Sequence, residues 1–311
     1  MPLDPHAKRL LDMLAMTGSI GALRLSVNDR RDLFRKLMSP SGSNVPIGRI
    51  EDRALPGPGG PINIRVYTPI ATLANRLPGL VYFHGGGLVA GSLDTHDSVC
   101  RALANETGSR LISVDYRLAP EHKFPAAVMD GYTAAIWVVE HVAELGIDRG
   151  RLAVAGDSAG ATLAAIVCHL ARRAQRVHFA AQLLLCPITD FAAETESRSD
   201  FAKGYMLDKA MLHRDREHYL PAGTDPTDPR ISPLRASDLS GLPPAFVHTA
   251  EFDPLRDEGR AYADRLARAG VKVNYSCHEG MIHLFYGMVS AIPYARTALN
   301  RIGSELRAAL G

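Results

Sequence analysis

Short apolar segments recur from residue 80 onward and alternate with longer segments in which the apolar positions have a helical spacing. The short, partly β-branched segments predict buried strands at residues 80–83, 111–114, 152–155, 182–186, 245–249 and 271–275. The longer segments predict helices at residues 125–145, 159–173, 256–268 and 294–310. Parallel strands joined by helices account for this alternation, because crossover helices cover both faces of a sheet. The pattern therefore predicts an α/β fold with a mostly parallel central sheet.

The part of the chain before residue 80 departs from this alternation. Residues 1–47 predict helices, with one apolar face at Leu10, Leu11 and Leu14 and a second face after the cap-like segment 26–29. Residues 48–67 predict a β-hairpin, because a turn rich in proline and glycine at 56–61 precedes alternating apolar positions.

A second interruption lies among the alternating strands and helices. Residues 191–221 are polar, then helical, and are inserted between two predicted strands. In open α/β sheets, ligands bind at the carboxyl ends of the strands. We therefore expect residues 1–47 and 191–221 to form a helical cap over that edge, and residues 48–190 and 222–311 to form the core.

Composition narrows the class of protein. The 311 residues are 46% hydrophobic, which excludes a disordered chain, and the formal net charge of +2 gives no reason to expect nucleic acid as a partner. No apolar stretch approaches the roughly 18 residues of a membrane-spanning helix, and the N-terminus shows no secretory signal. We expect a cytoplasmic protein that binds neither nucleic acid nor membrane, and a homodimer is left open.

The cysteines give no sign of a metal site. Cys100, Cys168, Cys186 and Cys277 lie far apart, without a Cys-x-x-Cys pair. This spacing suggests neither a zinc site nor a disulfide framework, so each cysteine is interpreted as a buried apolar thiol. We expect no metal and no organic cofactor.

The segment 156–160 reads Gly-Asp-Ser-Ala-Gly and matches the pattern Gly-x-Ser-x-Gly. The match alone is weak, but a predicted strand ends just before it and a predicted helix begins just after it. The two glycines let the backbone turn sharply, so that the hydroxyl of Ser158 projects at the top of the sheet. Ser158 is therefore the candidate nucleophile, against the alternative of an ordinary glycine-rich turn.

A glycine cluster follows the strand predicted at 80–83. Residues 84–87 read His-Gly-Gly-Gly, and glycines allow unusual φ values and a close approach of substrate. Backbone N–H groups in such a loop can stabilise the negative charge that develops on oxygen during acyl transfer. We expect the amides of Gly85, Gly86 and Ala159, the residue after Ser158, to form an oxyanion hole.

The same cluster also satisfies a loose dinucleotide-binding fingerprint. Gly85, Gly87 and Ala90 have the required spacing, and Asp115 ends the next predicted strand. However, residues 91–94 delay the helix that should begin within the fingerprint. This interpretation also leaves the serine motif unexplained, so nucleotide binding is the weaker hypothesis.

A nucleophilic serine needs a base and an acid that orients the base. In this architecture they follow the serine in the order Asp or Glu, then His. Asp253 lies just past the strand predicted at 245–249, with a proline ready to begin the next helix. Glu251 and Asp257 are weaker candidates, because one is tied to the strand end and the other lies inside the helix.

Two histidines combine the right order with the right loop. His283 follows the last predicted strand at the same edge of the sheet, and His278, closer to that strand, is the alternative base. His248 lies inside a strand and is interpreted as a packed core histidine.

Five motifs, taken in order, resemble those of the hormone-sensitive-lipase-like carboxylesterases, the bacterial family IV esterases with an α/β-hydrolase fold. The motifs are residues 84–87, 115–121 (Asp-Tyr-Arg-Leu-Ala-Pro-Glu), 156–160, 253–257 (Asp-Pro-Leu-Arg-Asp) and 280–283 (Gly-Met-Ile-His), and the resemblance runs from about residue 50 to the C-terminus. It implies Ser158, Asp253 and His283 as the catalytic triad, with His283 preferred to His278. It also implies that the two helical segments cap the active site.

Two positions depart from the family pattern. Leu88 stands where the family usually has an aromatic residue, and Ala161 stands where it usually has a second glycine. Leu88 is expected to change the wall of the substrate pocket, and Asp157 of the serine motif is also expected to bind substrate. The charges of residues 115–121 are interpreted as a structural network beneath the site.

The sequence thus predicts a serine carboxylesterase that hydrolyses short- to medium-chain acyl esters through an acyl-enzyme. The acyl length is inferred from the many charges in residues 191–221, because a lid that docks on lipid should expose a large apolar patch. The alternatives are a lipase, an amidase, or a non-catalytic small-molecule binder on the same scaffold. The presence of all three triad residues argues against the binder.

Overall fold

The computed structural model describes residues 2–16, 25–38, 45–70 and 76–311. Within these residues the strands are β1 (Arg49–Leu55), β2 (Ile62–Thr68), β3 (Leu77–Phe83), β4 (Arg110–Asp115), β5 (Ile147–Asp157), β6 (Ala181–Leu185), β7 (Ala245–Phe252) and β8 (Val273–Ile282). The helices are α1 (Pro5–Met16), α2 (Val27–Met38), α3 (Asp97–Thr107), α4 (Ala126–Glu140), α5 (Ala159–Ala174), α6 (Glu196–Asp200), α7 (Lys209–Tyr219), α8 (Arg256–Arg268) and α9 (Tyr294–Leu310).

The described strands form one sheet in the order β1-β2-β4-β3-β5-β6-β7-β8. Strands β3 to β8 run parallel to one another, whereas β2 is antiparallel to both of its neighbours, β1 and β4. Strands β1 and β2 form the predicted hairpin, with Leu55 paired to Ile62 next to the turn. The prediction of an α/β fold with a mostly parallel central sheet is confirmed.

The helices cover both faces of the sheet, because the side chains on both faces of its central strands are apolar. Strand β3 is an example. All its residues are buried, and successive side chains of a strand point to opposite faces. Leu80 and Tyr82 belong to the apolar cluster that includes residues of α1, α3 and α9. Val81 and Phe83 belong to the cluster that includes residues of α4, α5 and α8. A strand buried on both faces therefore needs a continuous apolar run, which is the pattern read from the sequence.

Several element ends differ from the sequence prediction. Strand β8 continues to Ile282, seven residues beyond the predicted end at residue 275, and α4 ends at Glu140 rather than at residue 145. The extension of β8 is supported by pairing with β7 as far as Phe252 opposite Ile282. His278 therefore lies inside a strand, and His283 comes directly after its end.

The N-terminal helices are fixed by side-chain caps. Asp4 Oδ1 accepts from the amides of His6 and Ala7 at the start of α1, and the amide of Asp4 donates to the carbonyl of Gly280 in β8 at 3.0 Å. Ser26 Oγ accepts from the amide of Asp29 at the start of α2, which is an N-cap contact. The prediction of helices in residues 1–47 holds for these ranges, and residues 17–24 and 39–44 lie outside the described part of the chain.

None of the helices formed by the described residues is long and apolar enough to cross a bilayer.

A pair of buried histidines joins the last two strands to α9. His278 Nε2 lies 3.3 Å from His248 Nδ1, and His278 Nδ1 lies 3.1 Å from the hydroxyl of Tyr294. Glu305 lies 3.6 Å from the other ring nitrogen of His248, and Arg301 is the nearby cation. Burial lowers the pKa of His278 to about 4 and lowers that of His248 well below its ordinary value.

The turn from β5 into α5 predicts a large effect of Gly160→Ala on stability. A β-carbon at Gly160 would lie 2.0 Å from the carbonyl oxygen of Phe83, and a backbone atom in the centre of the sheet cannot move away. We expect the substitution to lower the free energy of unfolding by about 1–3 kcal/mol, measured by urea titration. In the control Gly150→Ala, the new methyl group meets only Asp148 at 3.5 Å, so the loss should stay within about 0.5 kcal/mol. Equal losses in the two variants would contradict this interpretation.

The histidine pair predicts loss of stability in acid. The unfolded chain binds a proton at residue 278 below pH about 6.5, whereas the folded chain resists it down to pH about 4. The contribution of His278 to the free energy of unfolding is therefore greatest above pH about 6.5. It falls by about 3 kcal/mol as the pH drops towards 4. His278→Gln should flatten the dependence of the melting temperature on pH between these limits. An unaltered slope in His278→Gln would disprove the argument.

Candidate active site

The candidate nucleophile lies in a sharp turn between β5 and α5. Ser158 has a φ of 52° and a ψ of −122°, an unusual conformation for a residue with a side chain. The turn is tight, since a β-carbon on Gly156 would lie 2.3 Å from the carbonyl carbon of Gly160. The amide of Ser158 donates to the carbonyl of Leu185 at 2.7 Å. The turn thus fixes the serine at the carboxyl end of β5, as the motif predicts.

The structure brings Ser158, His283 and Asp253 together in one hydrogen-bonded chain. Ser158 Oγ lies 3.0 Å from His283 Nε2, and His283 Nδ1 lies 2.7 Å from Asp253 Oδ2. All three side chains are buried. With a proton on Nδ1, the imidazole donates to Asp253 and accepts from the serine hydroxyl, which is the geometry of a serine nucleophile and its base.

Each member of the chain follows a different strand at the same edge of the sheet. Ser158 follows β5, Asp253 follows β7 and His283 follows β8. The amide of Leu255 donates to Asp253 Oδ1 at 2.9 Å, which holds the carboxylate in place. Residues 125 positions apart in the sequence meet because parallel strands end at a common edge.

The alternative acids are engaged elsewhere. Glu251 accepts from the amide of Gly280 at 2.7 Å, and Asp257 accepts from the amide of Ser197 at 2.7 Å. The alternative base His278 bonds to Tyr294 and to the strand histidine beside it. In the part of the chain that the structure describes, none of these three side chains forms a hydrogen bond with Ser158.

The glycine loop differs in detail from its prediction. The amide of Gly85 donates to Asp157 Oδ1 at 3.0 Å, so it already has a buried partner and is not available to a substrate. Asp157 also accepts from the hydroxyl of Tyr82 at 2.6 Å and lies 3.3 Å from His96 Nε2. The predictions of Gly85 as an oxyanion donor and of Asp157 as a substrate contact are therefore wrong in this structure. Asp157 instead anchors the loop from below.

The pKa of the Asp157 carboxyl is lowered in this position. Burial opposes its ionisation, but the neighbouring His96 and the hydrogen bonds outweigh burial and lower the pKa of the carboxyl. His96 stacks against His84 with 5.5 Å between ring centroids, and His84 stacks against Tyr116 at 4.4 Å. A layer of buried polar rings therefore supports the glycine loop.

The next two glycines face the cavity. Gly86 and Gly87 line it together with Ser158 and His283, and both have positive φ values, 117° and 68°. Ala159 is the first residue of α5, where helical amides have no partner within the helix. Within the described residues no acceptor bonds to the amides of these three residues.

Leu88 does not shape the cavity wall as the sequence suggested. Its side chain is 1% exposed and belongs to the core cluster on the α4 and α5 face. Its backbone carbonyl accepts from the amide of Ala119 at 2.8 Å, and its φ of 63° turns the chain after the glycines. The prediction failed because a bend in the backbone carries this side chain away from the substrate side.

Two of the three charged residues in 115–121, Arg117 and Glu121, form ion pairs with residues outside this run. Arg117 donates to both carboxylate oxygens of Asp130, and Glu121 accepts from Arg31 of α2. The expected structural network therefore draws its partners from outside the run. Tyr116 donates to the carbonyl of His84 at 2.6 Å, so the run does support the glycine loop.

The cavity above the serine has a volume of about 770 Å³, open solvent included. Its wall is mostly aliphatic and comes from α1, α2, α7 and the loops before α7 and after β6 and β8. The apolar lining residues are Leu14, Leu33, Phe34, Leu37, Ile188, Met206, Leu207, Met211, Leu212 and Leu284. The carbonyl of an ester with an apolar chain could therefore be placed beside the serine.

Two charged side chains in this wall were missed by the sequence analysis. Arg30 of α2 and Asp215 of α7 form an ion pair across the cavity wall. Burial raises the pKa of Asp215 to about 6, against the opposite effect of the Arg30 guanidinium. Both residues occur in polar helical segments, so only their contact, 185 positions apart, distinguishes them from surface charges.

One cluster of potential metal ligands occurs among the described residues, at Cys186, Asp253 and His283, whose ligand atoms lie within 4.8 Å of one another. Two of its members are already bonded to each other as part of the serine chain. Burial, followed by the Asp253 charge, raises the pKa of the Cys186 thiol well above its ordinary value. A protonated thiol is a poor zinc ligand. The hydrogen bonds that link Asp253 to His283 and His283 to Ser158 therefore account for this cluster.

The sequence profile of the α/β-hydrolase fold family matches residues 80–287. Carboxylic ester hydrolase LipN of Mycobacterium tuberculosis is 44% identical, with 99% of this chain and 83% of the relative covered. An arylesterase of Saccharolobus solfataricus is 37% identical, with 92% and 93% covered.

Solved structures give the same result. An ester hydrolase from the metagenome of Lake Arreo, complexed with a bipyridine phosphonate derivative, superposes with a TM-score of 0.95 at 42% identity, covering 98% of each chain. A hyperthermophilic esterase of the archaeon Pyrobaculum calidifontis superposes with a TM-score of 0.93 at 41% identity, covering 100% of each chain. The chain therefore belongs to the α/β-hydrolase fold family, and the resemblance to carboxylesterases that its motifs indicate is confirmed.

Proposed function

We propose that this protein is a serine carboxylesterase of the hormone-sensitive-lipase-like group, which hydrolyses short- to medium-chain acyl esters. The observation that carries the proposal is the chain from Ser158 Oγ to His283 Nε2, 3.0 Å, and from His283 Nδ1 to Asp253 Oδ2, 2.7 Å. The serine at the end of these hydrogen bonds lines a mostly aliphatic cavity that can receive an ester. The relatives named above are ester hydrolases.

In the first half of the reaction, Ser158 Oγ attacks the ester carbonyl and His283 Nε2 removes the hydroxyl proton. Asp253 holds the imidazole in the required tautomer and stabilises the imidazolium ion. His283 then passes the proton to the departing alcohol, which leaves an acyl group on the serine.

The proposed oxyanion hole consists of the amides of Gly86, Gly87 and Ala159. Support comes from the position of both glycines in the cavity wall and from the bond that already engages the amide of Gly85. Amides fixed in place before the reaction stabilise a developing alkoxide without reorganising. The buried Asp157 beneath the loop restricts its movement.

In the second half of the reaction, His283 Nε2 removes a proton from water as the water attacks the acyl group. The imidazolium then returns this proton to Ser158 Oγ as the bond between Oγ and the acyl carbon breaks and the acid is released. Every proton transfer is made by the imidazole, so the proposed mechanism uses neither metal nor organic cofactor.

The proposed cap consists of residues 1–47 and 191–221, over a core of residues 48–190 and 222–311. Support comes from the cavity wall, which contains residues of α1, α2 and α7. The ion pair between Arg30 and Asp215 joins the two proposed cap segments. A cytoplasmic location stays a prediction. Light scattering of the purified protein tests whether the chain forms a homodimer, which the sequence left open.

Removing the nucleophile should abolish turnover. Ser158→Ala deletes one buried oxygen at a turn that alanine can occupy as well as serine can, so circular dichroism and the melting temperature should change little. The turnover of p-nitrophenyl butyrate should fall by about 10⁶. His283→Ala should be nearly as damaging, and the double variant should be little worse, because the groups act as a unit. His278→Gln is the matched control and should stay within tenfold of the wild type.

The assignment fails if Ser158→Ala keeps activity within tenfold of the wild type. If His278→Gln is the damaging change, the catalytic base is His278 rather than His283.

The preferred acyl length should lie around butyrate to octanoate. The second proposed cap segment carries many charges, among them Glu194 and Lys209, which pair with each other at 2.6 Å. A lid of this kind does not provide the apolar patch that a lipid surface binds. Initial rates with p-nitrophenyl esters of increasing length measure the profile. Rates that rise steadily to palmitate, with a jump at the emulsion interface, would identify a lipase instead.

A further inference from the structure

Two charged side chains from separate parts of the chain meet in the wall of the cavity. Arg30 Nη2 donates to Asp215 Oδ2 at 2.6 Å, and Nη1 donates to the second carboxylate oxygen. Only 12% of the Arg30 side chain and 5% of the Asp215 side chain are exposed. Apart from the serine and histidine of the catalytic centre, the other described residues that line the cavity are apolar or glycine.

The ion pair does not use all of its hydrogen-bonding capacity. A guanidinium group has five N–H donors, and a carboxylate has about four acceptor positions. Within the described part of the chain, two donors of Arg30 and two acceptor positions of Asp215 are engaged, all in this pair. Buried polar groups normally have hydrogen-bond partners, so donors and acceptors are left for a ligand in the cavity.

The pair lies close to the proposed site of reaction. A β-carbon built on Gly87 would lie 1.9 Å from Asp215 Oδ2 and 3.1 Å from Arg30 Nη2. The pair therefore packs against the α-carbon of the glycine whose amide we assign to the oxyanion hole. A substrate group that reaches the pair is only a few bonds from the ester carbonyl.

We propose that Arg30 and Asp215 bind a hydroxyl group of the substrate, so that the preferred esters carry a hydroxyl within a few bonds of the carbonyl. The proposal rests on the proposed esterase function and names the substrate class of that site. The pair has no net charge and offers a donor beside an acceptor. A substrate carboxylate would be repelled by Asp215 and an ammonium group by Arg30, whereas a hydroxyl donates to Asp215 and accepts from Arg30.

Plain alkyl esters fit the cavity less well for the same reason. Ligand sites are typically apolar with a few polar groups that set orientation and specificity. An alkyl chain placed against Arg30 and Asp215 displaces water from them without replacing its hydrogen bonds, which costs free energy. Sites that bond to a substrate hydroxyl therefore discriminate strongly against analogues that lack it.

The test compares matched esters that differ by hydroxyl against methyl. On the acyl side, p-nitrophenyl β-hydroxybutyrate is compared with p-nitrophenyl isovalerate. On the alcohol side, ethylene glycol monobutyrate is compared with propyl butyrate. Each kcat/KM is divided by the rate of alkaline hydrolysis of the same ester. We expect the wild-type protein to prefer the hydroxylated partner of at least one pair by about tenfold or more, which corresponds to a good hydrogen bond to a charged group.

The variant Arg30→Met/Asp215→Ala removes both polar groups together, so that no buried charge is left alone. It should abolish the preference, which is measured as the ratio of the two kcat/KM values within each pair of esters. The control Arg35→Met removes an arginine from the same helix whose ion pair with Asp32 is exposed, and it should keep the wild-type preference. If the double variant does not fold, Asp215→Asn keeps the shape of the side chain and should lower the preference, because a neutral amide is a weaker partner than a carboxylate.

Two results overturn the proposal: no preference for the hydroxylated ester in either pair with the wild-type protein, or an unchanged preference in the folded double variant or in Asp215→Asn. The rates measured with the alkyl esters distinguish a failure of the hydroxyl-binding proposal from a failure of the proposed esterase function. Hydrolysis of both partners at equal rates overturns only the hydroxyl site, whereas hydrolysis of no ester overturns the esterase assignment.

Discussion

The backbone at Ser158 adopts a conformation that costs a residue with a side chain about 1–3 kcal/mol, and the centre of the sheet holds it there. Gly156 and Gly160 bring β5 and α5 so close that neither could carry a β-carbon without meeting backbone atoms. Ser158 itself donates to Leu185 of the neighbouring strand. Because this turn is fixed, the hydroxyl stands at the edge where β7 and β8 also end, and the acid and the base can reach it from the following loops.

Buried charge is the second constraint, and each buried carboxylate near the site has its own partners. Asp253 is bonded to the imidazole and to a backbone amide. Asp157 holds the glycine loop through the amide of Gly85. Asp215 is paired with Arg30 of the other helical segment. Each carboxylate thus has a different partner, since one bonds to the imidazole of His283, another to the glycine loop, and the third to an arginine in the cavity wall.

The sequence was sufficient for the fold and for Ser158 and Asp253 as candidates, because these depend on local patterns and on the order in which parallel strands end. The choice of His283 over His278 came from the resemblance to the family. The sequence was not sufficient where a residue's role depends on the direction in which its side chain points. Asp157 and Leu88 are next to functional residues in the sequence but point beneath the site and into the core. Gly85 lies in the right loop, yet its amide is engaged by a carboxylate that follows a different strand. The contact of Arg30 with Asp215 joins residues 185 positions apart, and no local pattern signals such a pair.

The central claim is that His283, oriented by Asp253, activates Ser158. Covalent labelling with diethyl p-nitrophenyl phosphate tests it most directly, since the reagent reports the activated hydroxyl before any turnover. The account predicts one diethylphosphoryl group per chain, located on Ser158 by peptide mass spectrometry, with release of one equivalent of p-nitrophenolate. The labelling rate should fall by orders of magnitude in His283→Asn. A label on another residue, or a rate that does not depend on His283, would contradict the account.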